Sequence, residues 1–85
     1  MLMEEVIKKI RAYFKENKFW VSDISQYKDL PVVAIEIEDG DWKHDHNYCK
    51  YLMKKLDFNL IGSEVTHETE EDCYSAIHYF IVNNL

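Results

Sequence analysis

The chain's histidines, cysteines and hydroxyl side chains are the groups able to do metal or covalent chemistry, and their spacing limits what they can do. His44, Asp45 and His46 form a His-Asp-His run. Two imidazoles and a carboxylate are good ligands for zinc, nickel or copper, provided they converge on one ion. On a helix, residues two apart point about 160° away from each other, so His44 and His46 can share an ion only in an extended segment. Cys49, His67, Cys73 and His78 are the remaining soft or imidazole ligands, and none stands at a recognised ligand spacing. No metal site is expected.

Covalent catalysis is no better supported. A cysteine nucleophile needs a nearby base and an oxyanion site, and Cys49 falls on a core-facing stripe, where a thiol packs rather than reacts. Tyr74, Ser75 and His78 share one strand, with Tyr74 and His78 on the same face but four residues apart, too far for a direct hydrogen bond. Gly40 and Gly62 are the only glycines, so there is no glycine-rich phosphate loop. The expectation is a protein with no catalytic residue and no cofactor, with a metal- or thiol-dependent activity as the third-ranked alternative.

The elements that position these groups read as α-β-β-α-β-β. Leu2, Met3, Val6, Ile7, Ile10, Tyr13, Phe14 and Asn17 recur at helical spacing. Glu4 and Glu5 stand where a helix N-terminus favours anions, and Lys15 and Lys18 where its C-terminus favours cations. Residues 19–27 are aromatic and β-branched, Lys28-Asp29-Leu30-Pro31 supplies a turn, and 32–38 alternates, with Val33, Ile35 and Ile37 opposed to Ala34, Glu36 and Glu38. Asp39-Gly40-Asp41 is expected to break that strand, with Asp41 as the N-cap of a second helix. Trp42, Asp45/His46, Cys49, Leu52/Met53 and Leu56 mark this helix's inner stripe. Residues 59–82 read as a long hairpin turning at 68–72.

At 85 residues, the chain has room for one domain, residues 1–85, with one core. Nearly half the residues are apolar (47%) and 14% are aromatic, which excludes a disordered segment despite the charge. The two cysteines form no secreted framework. Glu4, Glu5, Lys8 and Lys9 occupy the positions where a signal peptide needs an apolar run, so a cytoplasmic protein with no membrane contact is expected.

Strands that tolerate burial on both faces belong in the middle of a sheet. Residues 32–37 and 74–82 are the two nearly continuous apolar runs, which gives the order 3-4-2-1. The expected architecture is α+β: a two-layer sandwich with a four-stranded, mainly antiparallel sheet, its two central strands parallel and both helices on one face. It resembles a ferredoxin-like fold whose first strand has moved to the C-terminus, a likeness that implies no function.

Charge separates along the chain. Residues 1–18 hold five Lys/Arg against three Asp/Glu, and 42–57 hold four against two; both helices are cationic. Residues 19–41 hold one against six, and 58–85 none against five, so each strand pair carries −5. In a two-layer fold the far side of the sheet is uncovered. There the third strand presents Gly62, Glu64 and Thr66, and the fourth presents Ile77, Tyr79 and Ile81, or, with the register shifted by one, Tyr74, His78 and Phe80.

This apolar strip, bordered by Glu36, Glu38 and Glu64, is the expected binding surface for a protein partner or for a second copy of the chain. The hairpin tip, Glu68, Glu70, Glu71 and Asp72, reads first as a solvated turn that discourages edge aggregation; the sharper reading is that the tip with Glu36 and Glu38 presents a phosphate-like pattern to a basic partner. Sheets that stack nucleic-acid bases are basic, which argues against that role here. The alternative nucleic-acid surface is the helical side, with Lys43, Tyr48, Lys50, Tyr51 and Lys54 exposed. The net charge of −6 opposes a polyanion's approach.

Overall fold

A computed structural model describes residues 2–69 and 72–83. Its elements are α1 (Met3–Glu16), β1 (Asp23–Gln26), β2 (Val32–Asp41), a π-helical turn (Trp42–His46), α2 (Asn47–Lys55), β3 (Phe58–Glu68) and β4 (Cys73–Val82). They form one α+β domain with a four-stranded sheet ordered β1-β2-β4-β3.

The helices lie on one side of the sheet because their apolar stripes and one face of the strands make a common core. Val6, Ile10 and Phe14 of α1 and Cys49, Leu52 and Met53 of α2 are buried against Ile24, Val33, Ile35, Ile37 and Phe80. Pairing across the sheet places Val33 opposite Phe80, Ile35 opposite His78 and Ile37 opposite Ala76, so one face of β2 and β4 is wholly enclosed.

The expected parallel pairing of the central strands is corrected: β2 and β4 run antiparallel, as do all neighbouring strands. The crossover through α2 makes β2 and β3 parallel to each other. The hairpin then returns β4 between them, where it must oppose both.

Two further boundaries differ from the sequence reading. Residues 19–22 are not strand; the chain turns at Lys18 (φ 56°), and Phe19 packs edge-on against Phe14 at 5.2 Å and Tyr48 at 5.5 Å. Burying this ring between the helices competes with extending β1. Nor does Asp39-Gly40-Asp41 end β2: a bulge takes up the extra residues, with Asp39 at φ 50°, and pairing resumes at Gly40↔Tyr74 and Asp41↔Cys73.

The β3–β4 hairpin keeps the expected register at its centre, Ser63↔His78 and Val65↔Ala76, while bulges between Leu60 and Gly62 and between Val65 and His67 shift its ends. Its tip is closed by Thr69, whose N–H and hydroxyl both donate to the Cys73 carbonyl. Glu70 and Glu71, named for the acidic tip, lie outside the described residues. No described helix is long and apolar enough to cross a membrane.

Candidate functional site

The uncovered side of the sheet collects side chains from all four strands. β1 contributes Asp23 and Ser25, β2 Ala34 and Glu36, and β4 Ile77, Tyr79 and Ile81, paired as Asp23↔Glu36, Ser25↔Ala34, Ala34↔Tyr79 and Glu36↔Ile77. From β3 come Gly62 opposite Tyr79 and Glu64 opposite Ile77. Glu38 is exposed beyond Glu36, its N–H donating to Ser22 Oγ at 2.9 Å.

This face is not uniformly bare. The segment after β1 lines one end, Tyr27 and Leu30 standing around Val32, which is only 5% exposed. Tyr27 meets Tyr79 edge to face, with centroids 4.9 Å apart. Ile77, Tyr79 and Ile81 are half-buried, whereas Ile61 is 56% exposed beside them.

The tyrosine pair separates two shallow depressions. One, of about 290 Å³, is lined by Tyr27, Leu30, Val32, Ile61, Gly62, Glu64 and Tyr79. The other, of about 350 Å³, includes Asp23, Ser25, Ala34, Glu36, Ile77 and Tyr79. Gly62 leaves the first one open, since a Cβ there would meet nothing within 4 Å. Each depression joins apolar or aromatic walls to at least one carboxylate. The Tyr79 hydroxyl donates to Glu64 Oε2 at 3.3 Å; burial first, and then the Glu64 charge, raises the phenol's pKa. A cation already lies over one wall, with Lys28 Nζ 5.0 Å from the centre of the Tyr27 ring.

The helical face holds a smaller aromatic and basic group. Lys43, Tyr48, Tyr51 and Lys54 are exposed, and the Tyr48 and Tyr51 rings stack at 6.1 Å. Lys50 is instead half-buried, its ammonium 4.4 Å from the centre of the Trp42 ring. Lys55 lies over Tyr51 at 5.1 Å, and a hydrogen bond to that tyrosine raises its pKa. On α1, Lys8, Arg11, Lys15 and the following Lys18 are exposed, with Arg11 Nη2 donating to the Ile24 carbonyl at 3.0 Å.

The His-Asp-His run divides three ways. His44 faces solvent, while Asp45 Oδ2 accepts the Asp41 N–H at 2.7 Å and Asp41 Oδ1 caps the turn by accepting from Lys43 and His44. These backbone donors, that of His44 foremost, hold the Asp41 carboxyl below its usual pKa. His46 is fully buried. Among the described residues, no three His, Cys, Asp or Glu side chains converge as metal ligands would. Cys49 and Cys73 are free thiols, and burial pushes the Cys49 thiol up to about 12.

The sequence reading missed a buried hydrogen-bond chain on the helix side of the sheet. His46 Nε2 lies 2.9 Å from the Tyr74 carbonyl, His46 Nδ1 lies 2.8 Å from His78 Nε2, and His78 Nδ1 lies 2.7 Å from Ser63 Oγ. Both imidazoles are fully buried, and Trp42 stacks on His46 at 5.1 Å. Burial, then the neighbouring His46 and Lys50, push His78 down to about 4. The one signal in the sequence was register, because Ser63↔His78 puts hydroxyl and ring on one face. No family model matches the chain, nor does any curated protein or solved structure.

Proposed function

We propose that the chain is a small interaction module that docks a basic protein surface on the uncovered side of its sheet. The observation that supports this most is the pair of depressions flanking Tyr27 and Tyr79, in which aromatic walls stand beside Glu64 on one side and Glu36 on the other. Such walls accept the aliphatic stem of Arg or Lys, and the carboxylate and ring faces accept its charge. Electrostatics favours a basic partner over a second copy, since two sheets of −5 per strand pair repel one another.

Affinity capture from the native host, using the wild-type chain and the Ile77→Asp and Tyr79→Asp variants side by side, tests this reading. A basic protein retained by the wild type at low salt, released as salt rises and lost with both variants, supports it. Identical capture by wild type and by folded variants contradicts it. Sedimentation at two concentrations reads the competing self-association directly.

A second reading, nucleic-acid binding on the helical face, has its own observation: Tyr48 and Tyr51 are exposed and stacked, Lys55 lies over Tyr51, and Lys43 and Lys54 are exposed, which are the groups that base stacking and phosphate contact use. Retention on oligonucleotide that weakens for Lys43→Ala with Lys54→Ala supports it; no retention at low salt excludes it.

A further inference from the structure

The chain that ends on Ser63 runs in one direction. A carbonyl oxygen can only accept, so at Tyr74 the donor must be His46 Nε2–H. A neutral His46 then has its lone pair at Nδ1, which obliges His78 to donate from Nε2. His78 in turn has its lone pair at Nδ1, and at 2.7 Å this nitrogen accepts the Ser63 hydroxyl proton. His78 is neutral because burial disfavours its charged form and the neighbouring His46 and Lys50 oppose it. The exposed Ser63 hydroxyl thereby directs its proton at the lone pair of an imidazole whose orientation a second imidazole fixes.

Nucleophile, base and orienting group in hydrogen-bond sequence are the arrangement that activates a serine. Accessibility follows from the fold. The helices bury the inner face of β2 and β4, but β3 is an edge strand, so Ser63 is exposed while His78 behind it is fully buried. On the same face of β3, Leu60 is 43% and Val65 49% exposed, which offers an apolar footing to either side of the hydroxyl. An edge strand also turns alternate N–H groups outward, the kind of donor that a developing oxyanion requires.

We propose that Ser63 is a nucleophile toward activated acyl donors carrying an apolar acyl group, with His78 as its base and His46 as the residue that positions the base. In the step, Ser63 Oγ bonds to the acyl carbon and the bond from that carbon to the leaving alkoxide breaks. The hydroxyl proton passes to His78 Nδ1 and from there to the alkoxide. This chemistry is independent of docking through the open face, because Ser63 lies on the opposite side of the sheet.

An alkyl fluorophosphonate, which traps activated serines by losing fluoride to the attacking oxygen, tests the proposal on the full chain. Peptide mapping should find the adduct on Ser63, formed on the order of a hundredfold faster than on the exposed Ser25 of the same molecule. Ser63→Ala should abolish that adduct, and His78→Gln should slow it to the Ser25 rate. Should His78→Gln fail to fold, the contrast between Ser63 and Ser25 in the wild type decides alone. Positioning by His46 is read from the ring tautomers in a long-range 1H–15N spectrum. Both rings should carry Nε2–H in the wild type, and His78 should lose that preference in His46→Phe. Labelling of Ser63 no faster than of Ser25, or an Nδ1–H on His78, overturns the proposal.

Discussion

Gly40 makes room for the His46 ring: a Cβ at position 40 would stand 3.2 Å from His46 Nε2 and 2.7 Å from Ile37 Cγ2. The glycine is buried, follows the β2 bulge and has no positive φ, so side-chain space, rather than backbone freedom, makes it necessary there. Gly40→Ala should therefore destabilise the fold by about 1–3 kcal/mol through overpacking, and should displace His46 from the Tyr74 carbonyl. Urea unfolding checks the first effect and the His46 ring resonances the second; an unchanged midpoint would show that the ring moves aside at no cost.

Burial of His78 makes stability depend on pH. His78 is held at about 4 against an ordinary 6.5, with burial the first cause. The unfolded chain then takes up a proton near 6.5 and the folded chain only near 4, so this contribution is fully present above 6.5 and is lost as pH falls toward 4. Between pH 7 and pH 5 the loss from this one group amounts to about 2 kcal/mol. Urea midpoints measured across that interval should fall for the wild type and stay nearly level for His78→Leu. A wild-type midpoint that does not move would mean that His78 takes up its proton as readily in the folded chain as in the unfolded one.

Asp41 ends β2 and starts the helical segment with the same carboxylate. Its Oδ1 accepts from Lys43 and His44 at 2.8 and 3.0 Å, and its own N–H donates to Asp45. Asp41→Ala should cost about 1 kcal/mol, with Asp41→Asn recovering most of it. The check is the melting temperature of the three proteins; equal values would show that water replaces the cap.

Much of this fold is legible in periodicity. The apolar stripe through Val6, Ile10 and Phe14, the alternation of Val33, Ile35 and Ile37, and the two continuous apolar strands give the helices, the sheet order and the enclosed face, because burial imposes periods of 3.6 and 2. Ile77, Tyr79 and Ile81 pair with open-face positions for the same reason. The strand direction at β2–β4 was read wrongly, since periodicity records which face a residue takes and not which way its strand runs. Phe19 leaves the sheet for a ring contact that depends on the helices' final separation. His46 and His78 are 32 residues apart. Their pairing needs the π-helical turn, the β2 bulge and the absent side chain of Gly40 together, none of which leaves a spacing signature.

The central claim concerns the depression beside Tyr79, and Gly62→Trp tests it most directly. A Cβ at Gly62 meets nothing within 4 Å and the residue has no positive φ, so a side chain can be added at this lining position without a clash at its Cβ. The measurement is protein-by-protein quantification of what the wild type and Gly62→Trp retain from one native-host lysate, with melting temperatures taken alongside. A basic partner depleted roughly tenfold or more on Gly62→Trp at an unchanged melting temperature, equivalent to at least about 1.4 kcal/mol of binding, is the predicted result. Equal retention of that partner by both proteins would contradict docking on this face.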